Sequence, residues 1–213
     1  VAAFIGLAIF YPRFGFMRDF KKVKKNRVHS TQPTVSDGFE FRMIFPYFTD
    51  YGDPLLDKDL SSYPEELFRQ LSEVGVNGIW LHSVLRMMVQ PDSVFPGDRL
   101  ADKRIAGLKR LVSRAAKYGV KVYLYLNEPR AMDISYFNGD TARMALAGPE
   151  VGGLRPFCTS QPKVRAWISN SLEQLFSQVK GLGGVFTITA SENFTYCGSR
   201  GAAHQHCPLC RER

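Results

Sequence analysis

Short predicted strands alternate with amphipathic helices through most of this chain, and the alternation restricts the fold more than any other feature of the sequence. Runs rich in branched and aromatic residues predict four strands, over residues 39–45, 78–82, 120–126 and 184–190. Each intervening helix is followed by a glycine, at Gly75, Gly119 or Gly181. Strands that alternate with helices in this way indicate a parallel sheet with right-handed crossovers.

The connections between these elements are unequal in length. Helix-to-strand connections are short, whereas strand-to-helix connections are long and polar. The connection at residues 127–159 is longer than most, which predicts that it has a functional role. Long loops at one end of the strands are how a barrel displays its active face. An open doubly wound sheet is the alternative, but no glycine-rich phosphate turn follows any strand. We therefore predict an α/β fold, the N-terminal half of a (β/α)8 TIM barrel with about four β/α units over residues 36–213, truncated after strand four.

The predicted helices also carry start signals and apolar faces. Ser62 and Glu65 have the spacing of a capping box at the start of the first helix. Thr159 or Ser160 is expected to cap the third helix, whose apolar residues, among them Phe176, are predicted to face inward.

The formal net charge of +8 is concentrated near the start of the chain. Residues 1–35 contain seven Lys or Arg and one Asp, which makes +6 of the total and leaves the remaining chain nearly balanced. A basic run this local is typical of a solvated connector, so we expect no nucleic-acid partner. A nucleic-acid-binding module built on this run and on the cysteine-rich end of the chain is the alternative.

Residues 1–11 are apolar but too few to cross a bilayer, which takes about 20 residues. We interpret residues 1–35 as the end of a preceding small α/β domain followed by a basic connector, and we expect no membrane span. A span or signal core that starts before Val1 is the alternative.

Two of the predicted strands are followed by a glutamate. Glu128 follows the third strand in the run LYLNEPR, and Glu192 follows the fourth strand in the run TITASENF. Glycoside cleavage needs paired carboxyl groups, and the C-terminal ends of neighbouring barrel strands bring such groups to one cleft. The alternative is that each glutamate caps a loop or pairs with an arginine, such as Arg42, Arg86 or Arg130.

Polar and aromatic side chains near the same strand ends are of the types that stack on sugars and hydrogen-bond to them. Candidate substrate-binding residues are Asn127, Arg130, Asn193, His82, Asp50 and Tyr51. His82 fits a structural histidine equally well, and Trp80 is predicted to belong to the barrel core because it lies within a strand.

The runs LYLNEPR, CTSQPKVR and TITASENFTYC, with CPLC near the end, resemble bacterial hexosaminidase-like glycoside hydrolases related to family twenty. The resemblance covers nearly the whole chain, and it implies a glycosidase of N-acetylhexosamine-containing or related glycans that uses no catalytic cofactor. In that family an Asp-Glu pair follows strand four, with the Glu as general acid and the Asp orienting the acetamido group. Glu192 matches the Glu, whereas Ser191 stands at the Asp position. The triplet at residues 127–129 also resembles the acid/base motif of another barrel clan, where it follows strand four.

These observations predict a retaining glycoside hydrolase in which Glu192 is the general acid/base and Glu128 is the second carboxyl group. The alternative is a barrel that binds carbohydrate without cleaving it.

Three of the four cysteines lie within the fourteen residues 197–210, with two histidines between them. Thiolate and imidazole ligands at this spacing suit a closed tetrahedral zinc site, which is structural rather than catalytic. The predicted ligands are Cys197, His204, His206, Cys207 and Cys210. A disulfide or free thiols are the alternatives, and cysteines of these unpaired or metal-binding types favour the cytoplasm. Cys158 is predicted to be a buried free thiol.

Overall fold

The computed structural model describes residues 39–45, 52–188 and 193–211. The predicted N-terminal segment, together with Asp50, Tyr51, Ser191 and Glu192, lies outside the described residues. The elements follow in the order β1 (Met43–Ile44), α1 (Glu65–Glu73), β2 (Gly78–Ser83), α2 (Ala101–Ala116), β3 (Lys121–Leu126), β4 (Met132–Asp133), α3 (Thr141–Leu146), β5 (Leu154–Arg155), α4 (Pro162–Gln178) and β6 (Gly184–Phe186).

Four of the strands form one sheet in the order β1-β2-β3-β6, and each neighbouring pair is parallel. Gly78 pairs with Lys121 at the start of β2 and β3, and Ser83 pairs with Leu126 at their ends. The spatial order is therefore the chain order, with a helix in each crossover between neighbouring strands. The parallel α/β sheet predicted from the sequence is confirmed.

Alternate residues of the central strands form the main core together with the helices. Ile79 and Leu81 of β2 and Leu124 of β3 are buried in one cluster with residues of α1, α2 and α4. Each buried side chain of this size stabilises the fold by about 1.5–3 kcal/mol. Because side chains alternate across a strand, the residues between them face the other side of the sheet.

That second face is aromatic. The ring of Trp80 in β2 stacks on Phe45 at a centroid distance of 4.0 Å and lies 5.4 Å from both Tyr125 and Phe186. Tyr125 and Phe186, from β3 and β6, stack on each other at 5.0 Å. Trp80, which was predicted to belong to the barrel core, therefore packs in a cluster of aromatic rings that spans three neighbouring strands.

The helix starts differ from the predictions. Pro64 precedes α1 with φ −65°, and no side chain caps that helix, so the predicted capping box is wrong. Gln161 takes the N-cap position of α4, also without a side-chain cap, in place of Thr159 or Ser160. Pro64 at the N-cap of α1 and Pro162 at the start of α4 fix φ where the helix begins, and Pro162 also removes one N–H donor that would have no partner within the helix.

The face of α4 is narrower than predicted. Val164, Ser171 and Leu175 are buried, whereas Phe176 is exposed. Phe176 follows Leu175 by one residue and therefore points about 100° away around the helix, outside the stripe that meets the sheet.

The connection from β3 to α4 is an ordered substructure rather than an irregular loop. It contains the antiparallel pair β4 and β5 and the helix α3. Phe137, Leu146 and Phe157 form a small core of their own with Val164 of α4. The backbone N–H of Arg143 donates to the side chain of Asp140, which caps α3 at 2.9 Å.

Within the part of the chain that the structure describes, no helix combines the length and apolar character needed to cross a membrane.

Candidate functional site

The C-terminal ends of β2 and β3 place several of the predicted site residues at one edge of the sheet. His82 pairs in register with Tyr125, one residue before the end of each strand. Asn127, Glu128 and Arg130 follow directly where β3 ends at Leu126. Parallel pairing therefore puts the side chains that follow β3 beside those that follow β2.

The carboxyl group of Glu128 links the loops that follow these two strands. Its Oε1 accepts the backbone N–H of Leu85 at 2.6 Å, and its Oε2 accepts the N–H of Arg130 at 3.0 Å. Burial raises the pKa of Glu128, against the opposing effects of these two amides and of the charges on Arg130 and Arg86. The carboxyl group therefore keeps its proton to a higher pH than an exposed glutamate, as a general acid must.

Arg130 and His82 are joined side chain to side chain. Nη2 of Arg130 lies 3.1 Å from Nε2 of His82, so the arginine donates to a histidine nitrogen that acts as acceptor. The His82 ring also lies 5.3 Å from the Tyr125 ring. His82 is exposed at the rim, so a ligand in solvent can reach this pair.

Asn127 is buried, with 2% of its surface exposed, and its Nδ2 donates to the Tyr125 hydroxyl at 2.9 Å. This placement makes Asn127 a support for Tyr125 rather than a residue open to solvent.

The segment after β6 lies against the segment after β3. The backbone N–H of Ala131 donates to the carbonyl oxygen of Phe194 at 2.8 Å. Asn193, the residue before Phe194, is half-buried there. The structure therefore brings Asn193, Arg130 and Glu128 to neighbouring segments, while Glu192, Asp50 and Tyr51 lie outside the described residues.

A cavity of about 260 Å³ lies among the loops that follow β2 and β3, lined in part by Arg86, Met132, Tyr136 and Arg143. The Arg143 guanidinium sits over the Tyr136 ring, 4.2 Å from its centroid. Tyr136 and Arg143 were not predicted as site residues from the sequence, because only the fold of the β3–α4 connection brings them to the loops after β2.

The thiols of the four cysteines meet at one place. The Sγ atoms of Cys158, Cys197, Cys207 and Cys210 all lie within 4.8 Å of one another, and none forms a disulfide. Three of these side chains are buried and Cys210 is half-buried. Burial raises the pKa of the Cys158 thiol to about 11, which opposes its ionisation unless a cation compensates the charge.

This group shares three cysteines with the predicted ligand set but contains a fourth cysteine and no histidine. Cys158 stands where a histidine was expected, and among the described residues the group of converging ligand atoms contains neither His204 nor His206. Both histidines lie in the 3₁₀ helix Gly201–His206, where His204 is half-buried and His206 is exposed.

No family model and no curated protein matches the chain. Among solved structures, a beta-N-acetylhexosaminidase is similar at 16% identity and a TM-score of 0.44, over 82% of this chain and 39% of that one. A GH5_18 variant from Bifidobacterium longum subsp. longum, in complex with Manb1-4GlcNAc, is similar at 14% identity and a TM-score of 0.40, over 70% of this chain and 33% of that one. The chain thus spans less than half the length of either structure.

Proposed function

We propose that the chain is the N-terminal half of a (β/α)8 barrel. The proposal is supported by four parallel strands in chain order, which share one core with α1, α2 and α4. It is also supported by the aromatic second face, because the inner face of a barrel is filled with bulky side chains from neighbouring strands.

We propose further that the complete protein is a glycoside hydrolase of N-acetylhexosamine-containing or related glycans, with Glu128 and Glu192 as its two carboxyl groups. The observation that carries this proposal is the position of Glu128, whose carboxyl group has a raised pKa at the C-terminal end of a central parallel strand. Barrel enzymes hold their reactive groups at these ends. The resemblance of residues 187–197 to the hexosaminidase pattern supports Glu192 as its partner.

Experiment can distinguish which of the two carboxyl groups is the general acid. The resemblance gives the general acid role to Glu192, whereas the raised pKa of Glu128 favours that residue as the holder of the proton. A general acid matters most when the leaving group is poor, because an activated aryl leaving group departs without protonation.

The test is turnover of aryl glycosides with good and poor leaving groups by the complete protein. Glu192→Gln should lower turnover about a hundredfold or more on poor leaving groups, and less on activated ones. The matched control is Glu173→Gln, on the exposed side of α4, which should change neither rate. Near-normal turnover of both substrates by Glu192→Gln would exclude Glu192 as the acid. Binding of glycans without any turnover by the wild-type protein would favour the carbohydrate-binding alternative.

A further inference from the structure

The four thiols come from two distant parts of the chain. Cys158 lies at the end of the connection between β3 and α4, and the other three belong to the segment that follows β6, which we call the thiol segment (residues 193–211). Cys158 Sγ lies 3.6 Å from both Cys207 Sγ and Cys210 Sγ. These contacts join residues that are 49 and 52 positions apart in the sequence.

The spacing of the sulfurs distinguishes between the chemistries open to four cysteines. A disulfide needs about 2.05 Å between sulfurs, well below 3.6 Å. Four thiolates around one tetrahedral zinc at about 2.3 Å lie about 3.8 Å from one another. An iron–sulfur cluster holds its cysteines farther apart, because the inorganic core stands between them. The observed distances therefore fit a single tetrahedral ion.

The backbone around the cysteines is arranged as it would be around bound thiolates. The amide of Leu209 donates to Cys207, and the amide of Ser160 donates to Cys158, each from two residues further along the chain. Cys207 and Cys210 are the ends of a tight turn, closed by the Cys210 N–H on the Cys207 carbonyl at 3.1 Å. Donors directed at ligand sulfurs orient them and stabilise their negative charge.

Beside the backbone hydrogen bond from Ala131 to Phe194, the cysteines of the thiol segment are central to its packing on the connection between β3 and α4. The local cluster of buried apolar side chains consists of cysteines, with Cys158, Cys197 and Cys207 buried and Cys210 packed against them. Thiol contacts alone supply a small hydrophobic gain, whereas a structural zinc ion contributes directly to the free energy of folding.

We infer that Cys158, Cys197, Cys207 and Cys210 bind one structural Zn²⁺, which fastens the thiol segment to the connection between β3 and α4. All four coordination positions are filled by protein, so the ion has no open position for substrate. This site does not depend on the proposed glycosidase activity. Its tests accordingly measure metal content and coordination.

The first test is elemental analysis and zinc X-ray absorption of the complete protein, purified without chelator. We expect one zinc per chain, with a first shell of four sulfurs at about 2.3 Å. A protein free of metal with its thiols reduced would overturn the inference. Iron in place of zinc, or a shell containing nitrogen at about 2.0–2.1 Å, would also overturn it.

Matched variants identify the fourth ligand. Cys158→Ser should lose most of the zinc, whereas His204→Ala and His206→Ala should retain it. Zinc retained by Cys158→Ser and lost from either histidine variant would refute the four-cysteine set. If Cys158→Ser does not fold, titration of the wild-type protein with p-hydroxymercuribenzoate replaces that comparison. It should release one zinc as four thiols react, and zinc release complete after three thiols would contradict the site.

Discussion

Replacement of Glu128 by glutamine tests the candidate acid, because it removes the acidic proton and one acceptor atom while it keeps the size of the side chain. Both carboxyl oxygens accept backbone N–H groups, from Leu85 at 2.6 Å and from Arg130 at 3.0 Å. A glutamine has one acceptor oxygen, so its NH₂ group must face one of these donors. One N–H then loses its partner, at a cost of about 1–3 kcal/mol.

The variant should therefore unfold at a lower temperature, by about 2–4 °C for each kcal/mol lost. A loss of this size leaves most of the protein folded, because domains are stable by about 5–15 kcal/mol. Turnover should fall by about a hundredfold or more if Glu128 donates the proton. The decline of the rate at high pH should also disappear, because that decline reports the loss of the Glu128 proton, and the raised pKa extends the active range upward.

The measurements are thermal unfolding and pH–rate profiles of the complete protein, with Glu173→Gln as the control that changes neither. A lower unfolding temperature with unchanged turnover and an unchanged pH profile would show that Glu128 joins two loops and is not a catalytic residue. An unchanged unfolding temperature would refute the two hydrogen bonds on which the calculation depends.

Two further predictions concern the packing of α2. Gly107→Ala should lower the free energy of unfolding by about 1–3 kcal/mol in chemical denaturation. Alanine normally favours a helix, but here the Cβ of the alanine would lie 1.9 Å from the backbone oxygen of Leu55. A gain in stability would refute this close approach. Arg104→Met should cost more stability at pH 7 than at pH 3, because the Leu100 amide and Arg104 lower the pKa of Asp98. The stability that this carboxylate contributes is present above its ordinary pKa of about 3.9 and is lost as the pH falls. If thermal unfolding shows the same loss of stability for Arg104→Met at pH 7 and at pH 3, the prediction is wrong.

The local parts of the fold were predictable from the sequence. The predicted strand at residues 78–82 is observed at Gly78–Ser83, and that at residues 120–126 is observed at Lys121–Leu126. Gly75, Gly119 and Gly181 all adopt positive φ near the predicted helix ends. These features depend on periodicity and on the left-handed region that glycine tolerates, and both can be read from a few neighbouring residues.

The contacts between distant segments were not predictable in the same way. Cys158 was expected to be a free thiol, because nothing in its neighbourhood marks it as a partner of residues 197–210. Its place in the group depends on the β3–α4 connection, whose helix α3, strand pair and small core were not predicted. The connection looked irregular because its pattern is set by Phe137 and Phe157, which contact each other across twenty residues of sequence.

Contacts between loops hold together the proposed active site at the C-terminal ends of the strands. Glu128 joins the loop after β2 to the loop after β3, and Ala131 joins the latter to Phe194 after β6. The thiol segment continues from Phe194 to its three cysteines, which meet Cys158 near the end of the connection between β3 and α4. The carboxyl group of Glu128 and the thiol of Cys158 therefore constrain the connection between β3 and α4 near its two ends. If the proposed zinc is bound, its removal should change the conformation of residues 193–195 before that of the strands, whose hydrogen bonds and core lie elsewhere. A change of activity in a cysteine variant would thus be an effect on position, whereas a change in Glu128→Gln that removes the pH dependence would be an effect on proton transfer.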